Sequence, residues 1–136
     1  MDSHGQPERL SYRTLVDDYF NNVAVAAFLD DLMAQAPRTV TVVWDGGNMH
    51  KGDPIRDLLK RHGRRLRLER LPTYAPTLNP VEQLWSWLKY GRLCNYAAEN
   101  LQSLCRAAHR ELRSAQRTQS RLHALWNACE LATLLF

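Results

Sequence analysis

Residues 39–71 read TVTVVWDGGNMHKGDPIRDLLKRHGRRLRLERL, and this stretch decides the fold class because two strand patterns flank one helix pattern. TVTVVW, at 39–44, is β-branched and nearly all apolar, which is typical of a buried strand. DPIRDLLKRHG predicts a helix from Asp53, with Pro54 at its first position and Gly63 after its end. RRLRLERL alternates charged residues with leucines, as a strand with one buried face does. Strands joined by a helical crossover run parallel, so the stretch predicts a parallel pair.

The flanking regions predict mostly helix. NVAVAAFLDDLMAQAP has the apolar spacing of a helix that Asn22 caps and that ends near Pro37. RLSYRTLV, at 9–16, is a candidate for a further short strand. The fold class is therefore α/β with a helical C-terminal half, and we expect a short N-terminal segment, 1–20, followed by one domain, 21–136. The C-terminal half predicts three helices, at about 79–93, 97–116 and 119–135.

Composition narrows the class of protein. The 136 residues are 45% hydrophobic and 24% charged, which suits one globular domain, and no run of apolar residues is long enough to predict a membrane span. The N-terminus, MDSHGQPERLSYR, lacks the apolar core of a secretion signal. The cysteines are scattered and odd in number, so we expect reduced thiols in a cytoplasmic protein.

Charge is unevenly distributed along the chain. The net charge is +4, but residues 51–121 hold fifteen Lys and Arg against six Asp and Glu, a local balance of +9. A folded domain with such a basic portion suits a polyanionic partner such as DNA. The alternative is that these arginines only solvate helix faces, and charge alone does not separate the two interpretations.

Asp45 and Glu82 are the carboxylates whose positions suit chemistry. Asp45 follows the first predicted strand, and functional groups gather at the carboxyl ends of parallel strands; the alternative is that Asp-Gly-Gly simply makes a turn. Glu82 lies in LPTYAPTLNPVEQLWSWLK, residues 71–89, at the third position of a helix that Asn79 caps. Either it helps to cap this helix, or it is a rigidly placed metal ligand on a helix that Trp85 anchors in the core.

Three other kinds of residue have more than one interpretation. His50 contacts a phosphate or a metal-bound water, or it caps the next helix. Cys105 and His109 lie one helical turn apart and would begin a zinc site, but no second pair stands at matching spacing. The tryptophans at helical spacing in the C-terminal half are interpreted as core or interface residues and not as base-stacking platforms: Trp85, Trp87 and Trp126.

Taken together, VVWDGGNMHKG at 42–52 and LERLPTYAPTLNPVEQLWSWLK at 68–89 resemble the second half of a DDE transposase core. The resemblance is closest to bacterial insertion-sequence transposases of the mariner-like superfamily, and it covers roughly residues 20–120. In that family an Asp ends an inner strand and is followed by a His-Lys pair. A Leu-Pro-x-Tyr-x-Pro-x-Leu-Asn-Pro-x-Glu-x-x-Trp block then supplies the last acidic ligand. Here 36 residues separate Asp45 from Glu82, and every signature position of the block is filled.

The resemblance implies an RNase H-like fold, that of the DDE integrase and transposase core, and cleavage and strand transfer of DNA. It assigns Asp45 and Glu82 as catalytic residues and as ligands of two divalent cations, Mg²⁺ or Mn²⁺, which prefer carboxylates. We therefore expect these carboxylates within roughly 8 Å of each other, since two-metal sites span about 4 Å plus the reach of their ligands. Contacts with DNA or phosphate are expected from basic residues near the acids: His50, Lys51, Arg61, Arg64, Arg65, Lys89 and Arg92.

Two departures from the family pattern bear on activity. Gly46 follows the catalytic Asp, where family members often have Asn. The family's first catalytic Asp lies on a three-stranded meander before the first helix, and only residues 1–21 precede that helix here, so we expect truncated N-terminal strands. The aspartates of this region are not convincing substitutes for the missing Asp: Asp2, Asp17 and Asp18.

These features predict the C-terminal portion of a DDE transposase catalytic domain, associated with the nucleoid and incomplete as an enzyme by itself. The alternative is a non-catalytic DNA-binding or dimerisation module derived from a transposase. The family's first strand pairs beside the one at 39–44, so the edge of that strand is expected to lack its neighbour. We therefore expect a homodimer that hides this edge, by strand pairing or by exchange of an N-terminal or helical segment, unless residues 9–20 fold back over it.

Overall fold

The computed structural model describes residues 9–14 and 19–130. Within Asp17–Ala75 the described residues form one compact unit, called the α/β unit below, and those within Met1–Val16 and Pro76–Phe136 form a second, the helical unit. The helices and strands are α1 (Asn22–Gln35), β1 (Val40–Trp44), α2 (Asp53–His62), β2 (Leu66–Arg70), α3 (Pro80–Ser86), a π-helical turn (Trp87–Arg92), α4 (Leu101–Gln116) and α5 (Gln119–Asn127). Short 3-10 turns lie at Asn48–His50, Gly63–Arg65 and Pro76–Leu78.

Helix α1 is capped by Asn21, so the prediction that Asn22 caps it is wrong. The Asn21 side chain accepts a hydrogen bond from the Ala24 N–H at 2.9 Å, which satisfies one of the free donors of the first turn. Asn22 instead donates from Nδ2 to the Lys51 carbonyl at 3.1 Å. Of the two adjacent asparagines, one therefore caps the helix and the other bonds a residue distant in sequence.

Strands β1 and β2 pair in parallel across the α2 crossover, which confirms the prediction from the sequence. The register runs from Val40 opposite Leu66 to Trp44 opposite Arg70. Along β1, half-buried and exposed residues alternate, and Val43 is 40% exposed, so the prediction of a fully buried strand is wrong. The reason is that only one face of the strand packs against the core of the unit.

The core of the α/β unit is built from α1, α2 and one face of the sheet. Its buried centre consists of Leu29, Met33, Leu58 and Leu66, and Leu58 is 0% exposed. Burying side chains of this size contributes roughly 1.5–3 kcal/mol each. Helix α2 ends at His62 and is followed by Gly63, whose φ of +53° favours glycine, so this part of the sequence prediction is confirmed.

In the helical unit, α3 starts as predicted, with the Asn79 side chain as its cap. The single helix predicted over 79–93 is instead α3 followed by the π-helical turn at Trp87–Arg92. Leu88 in this turn is 2% exposed and anchors the segment. Trp85 is 44% exposed, so the expectation that it anchors the helix in the core is wrong.

Helices α4 and α5 complete the helical C-terminal half that the sequence predicts. Asn100 caps α4 by accepting a hydrogen bond from the Ser103 N–H at 2.8 Å, which places the start of the helix at Leu101, later than predicted. The last part of the helix predicted to end at 135 lies outside the described residues. None of the helices in the described part of the chain is long and apolar enough to cross a membrane.

Residues 9–14 have no regular secondary structure, so the described part of the strand suggested at 9–16 is absent. They lie along α4 instead. The Leu10 carbonyl accepts a hydrogen bond from Gln116 Nε2 at 2.8 Å, and the Tyr12 ring packs edge-on against His109, with 5.4 Å between ring centroids.

Candidate functional site

Asp45 directly follows β1, and its side chain is held in a local turn. Its Oδ1 accepts a hydrogen bond from the Gly47 N–H at 2.9 Å, an arrangement that short Asp side chains favour in turns. The other oxygen, Oδ2, has no hydrogen-bond or ion-pair partner among the described residues, and the side chain is 65% exposed. One oxygen therefore fixes the carboxylate, and the other is left open to a ligand.

His50 provides a second restraint on Asp45. The 3-10 turn at Asn48–His50 brings His50 Nδ1 to 2.8 Å from the Asp45 carbonyl and to 3.2 Å from Asp45 Oδ1. Both partners are acceptors, so Nδ1 must carry a hydrogen. The ring stacks on Trp44, with 4.3 Å between centroids and 1° between planes. Its side chain is only 15% exposed, so His50 acts as a fixed support for the carboxylate.

Helix α2 makes no use of His50 as a cap, which removes one of the interpretations open at the sequence level. The N-terminal cap of α2 is Gly52, which has no side chain to bond the first turn. His50 instead faces back to Asp45. Contact with a phosphate or with metal-bound water remains a prediction for this residue.

Arg70 is a neighbour of this loop that the sequence reasoning missed. It ends β2 opposite Trp44, and its guanidinium lies against Gly46, so closely that a Cβ at position 46 would collide with it. Arg70 is exposed and has no hydrogen bond or ion pair with another described residue. The parallel register, once known, is the signal that finds it, because it pairs the last residue of β2 with the residue before Asp45. Because Gly46 has no side chain, the positively charged Arg70 guanidinium can lie beside the candidate site.

Glu82 lies in the first turn of α3, but its carboxylate is not used as a cap. The Asn79 side chain accepts a hydrogen bond from the Val81 N–H at 3.1 Å, and the Glu82 N–H donates to the Asn79 carbonyl at 3.1 Å. The Asn79 N–H, which a reciprocal capping box would pair with Glu82, donates to the Pro76 carbonyl instead. The Glu82 carboxylate is exposed and has no partner among the described residues. Asp45 belongs to the α/β unit and Glu82 to the helical unit.

Two basic candidates of the α/β unit already have partners within the protein. Arg61 Nη2 lies 2.5 Å from Asp30 Oδ2, and His62 Nε2 lies 2.6 Å from the other oxygen of that carboxylate. The hydrogen bond from His62, followed by that from Arg61, holds the pKa of Asp30 below its ordinary value. Arg65 donates to the Ala36 carbonyl at 2.6 Å. The strand register places Arg65 beside the start of β1, at the end of the sheet opposite Asp45, so the expectation that it lies near this acid is wrong.

Among the other candidates, Arg92 is bound within the helical unit. Its Nε donates to Glu111 Oε2 at 2.7 Å, and this hydrogen bond holds the pKa of the buried Glu111 carboxyl below its ordinary value. The side chains of the remaining basic candidates are exposed and have no partner among the described residues: Lys51, Arg64 and Lys89.

The Cys105–His109 pair shows no sign of a zinc site. His109 Nε2 lies 2.5 Å from Thr14 Oγ1, and the Cys105 thiol lies 3.8 Å from the same hydroxyl. Within residues 9–14 and 19–130, no three His, Cys, Asp or Glu side chains converge as a metal site would require. Thr14 therefore accounts for the polar contacts of this pair.

Comparison with known proteins gives one clear result. A family model described as DDE superfamily endonuclease matches residues 6–105 of the 136, a range that includes both candidate carboxylates. No curated protein and no solved structure matches the chain significantly. A small parallel sheet with mostly helical surroundings is compatible with a domain of that family.

Proposed function

Because the chain belongs to the DDE superfamily endonucleases, a family related to transposases, we propose that it derives from a bacterial insertion-sequence transposase of the mariner-like superfamily. Its chemistry would be cleavage and strand transfer of DNA at element ends and target. The observation that carries this proposal is the Asp45 carboxylate at the carboxyl end of a parallel strand. One of its oxygens is fixed by Gly47 and His50, and the other is open.

The proposal assigns Asp45 and Glu82 as ligands of Mg²⁺ or Mn²⁺. Both offer hard carboxylate oxygens without a partner among the described residues, which fits the preference of these cations. When bound, a pair of such cations stabilises the attacking and leaving oxygens of a phosphodiester. His50 keeps the Asp45 carboxylate oriented, and the Asn79 cap fixes the backbone of the helical turn that carries Glu82.

Metal binding tests this assignment directly. We expect Asp45→Asn and Glu82→Gln each to weaken Mn²⁺ binding measured by paramagnetic relaxation or calorimetry. If the two carboxylates serve the same ions, the double variant loses less than the sum of the single losses. Asp57→Asn and Glu99→Gln, two exposed carboxylates elsewhere, are the matched controls. Equal Mn²⁺ binding by all six proteins would overturn the assignment.

We also propose an RNase H-like core, with residues 21–136 as the C-terminal portion of a catalytic domain. Such a site uses three carboxylates, and this chain offers a match to two of them. We therefore predict that the 136-residue chain alone does not nick supercoiled plasmid in Mn²⁺. Nicking that disappears in Asp45→Ala would show a complete site. Nicking that persists in this variant would remove Asp45 from the mechanism.

The same assay separates the runner-up function, a non-catalytic DNA-binding or dimerisation module. That function predicts DNA binding without nicking even when the N-terminal part of a DDE catalytic domain is added as a second polypeptide. The catalytic proposal predicts that such a mixture gains nicking that depends on Asp45. With DNA as its substrate, the protein would work at the bacterial nucleoid in the cytoplasm.

We further propose a homodimer formed through the free edge of β1. Among the described residues β1 pairs with β2 alone, and an unpaired β-branched edge favours pairing with another chain. The described part of the N-terminal segment, 9–14, is occupied with α4. Light scattering at micromolar concentration should give the dimer mass, and Val43→Lys, which puts a charge on this strand, should shift it to monomer. A wild-type monomer at that concentration excludes the homodimer.

A further inference from the structure

Helix α4 and the residue that caps its C-terminus carry four arginines on one narrow face: Arg106, Arg110, Arg113 and, at the cap, Arg117. At 100° per residue they lie within an arc of about 60°, and the stripe is about 17 Å long at 1.5 Å per residue. All four are exposed. Together with side chains such as Ser114 and Thr118 they line an open groove of about 870 Å³. None of these arginines is among the DNA contacts expected from the sequence.

Among the described residues, only one of the four arginines has an acidic partner on the same helix, Arg110 with Glu111. Glu111 is the one acidic residue of α4, and it lies on the buried face, paired with Arg92 from outside the helix. A solvated helix face normally alternates charge at spacings of three and four residues, and this one does not. Arg113 and Arg117 have no hydrogen-bond or ion-pair partner for their side chains among the described residues.

The other two arginines are only weakly engaged. Arg106 contacts the Ser103 hydroxyl at 3.2 Å, and Arg110 Nε lies 3.5 Å from Glu111 Oε1. Arg110 remains 69% exposed despite this contact. Four guanidinium groups with nearly unused donors therefore face solvent along one line, which is an arrangement suited to a linear anion.

We propose that this arginine stripe binds the phosphate backbone of duplex DNA, independently of the carboxylates. This rests on the proposed function, which makes DNA the substrate. Duplex DNA carries one charge per ~1.7 Å of axis, so a ~17 Å length carries about ten phosphates, of which the arginines of the stripe would neutralise a part. Arginines that reach only phosphates bind without regard to sequence, so the stripe positions DNA and does not read it.

The test is a salt titration of DNA affinity. Wild-type protein and the variant Arg113→Gln/Arg117→Gln are titrated onto a fluorescent 30-base-pair duplex of random sequence at several salt concentrations. We expect the variant to bind more weakly and to have a log–log salt slope smaller by about two, since each lost phosphate contact removes about one. Arg113→Lys/Arg117→Lys keeps the charge and should keep the slope. Arg38→Gln/Arg67→Gln removes two exposed arginines of the α/β unit and is the charge-matched control.

The outcomes separate this inference from the proposed function. If wild-type protein binds DNA and the α4 variant binds with an unchanged slope, the stripe proposal is wrong, while DNA as the substrate stands. A loss equal to that of the Arg38/Arg67 control means that only net charge matters, and it also overturns the stripe. If the wild type binds no DNA even at low salt, both proposals fail. Circular dichroism verifies that each variant is folded, as expected for exposed helix positions.

Discussion

Asp45, just after strand β1, and Glu82, in the first turn of helix α3, are held in place by different means. Asp45 is tied by side-chain chemistry, because Gly47 and His50 bind its Oδ1 and His50 is stacked on Trp44. Glu82 has no such bonds to described residues, and only its backbone is fixed, through the Asn79 cap. The side chain of Asp45 is therefore restrained directly, whereas that of Glu82 is restrained only through its place in a capped helical turn.

The position of each carboxylate therefore depends on a different set of neighbours. The direction of the Asp45 side chain depends on a few named neighbours and on the core beneath β1. The placement of Glu82 depends on whether the first turn of α3 is formed. Substitutions outside the carboxylates should therefore have different consequences for the two regions.

The largest effect is expected from Leu58→Ala, which removes the support of the Asp45 region. Leu58 is fully buried in the core of the α/β unit, so the cavity and the lost burial should lower the free energy of unfolding by about 2–5 kcal/mol. Urea unfolding followed by circular dichroism measures this. Leu101→Ala, at a position that is 50% exposed in α4, is the control and should cost little. Equal effects of the two would mean that Leu58 is not a core residue.

Next in size is the effect of His50→Ala on metal binding. Residues that orient a metal ligand typically contribute tenfold to a hundredfold in affinity, so we expect Mn²⁺ binding to weaken by roughly tenfold or more. His62→Ala is the matched control, because His62 also bonds an aspartate, Asp30, but not the candidate ligand. If His62→Ala weakens Mn²⁺ binding as much as His50→Ala, the orienting role of His50 is refuted.

Asn79→Ala probes the Glu82 region. There the Asn79 cap holds the candidate ligand in place, as the bonds to Gly47 and His50 do for Asp45. Loss of an N-terminal cap should lower the free energy of unfolding by about 1 kcal/mol. Asn100→Ala removes the equivalent cap of α4 and should cost about the same. Only Asn79→Ala should also weaken Mn²⁺ binding, because only that cap positions a candidate ligand. Unchanged Mn²⁺ affinity in Asn79→Ala would mean that metal binding by Glu82 does not depend on an ordered first turn of α3.

The smallest effect concerns acid stability in the helical unit. The pKa of Glu111 is lowered in the folded protein, chiefly by the Arg92 hydrogen bond, so its contribution is fully present above the ordinary pKa of 4.5 and is lost as the pH falls through the folded value. Glu111→Gln should therefore differ most from wild type at neutral pH, and the difference should shrink below about pH 4.5. Unfolding measured from pH 6 to pH 3 tests this, with Glu99→Gln as the exposed control. A difference that stays constant with pH would exclude this linkage.

The sequence by itself determined the features that depend on local patterns. The parallel pair followed from two strand patterns around one helix, and the start of α3 from Asn79, because turn chemistry and periodicity act within a few residues. The roles of Asp45 and Glu82 came from the motif and remain predictions. In contrast, the sequence did not show that Asn21 rather than Asn22 caps α1, or that the Asn22 side chain bonds Lys51, which lies far along the chain.

Only the tertiary structure decided which side chains meet. It stacked His50 on Trp44, put the Arg70 guanidinium against Gly46, left Trp85 exposed and paired the buried Glu111 with Arg92. These outcomes depend on strand register and helix rotation, which packing sets between residues distant in sequence. A periodic pattern gives the face of a helix or strand, but not the partner that the face will contact.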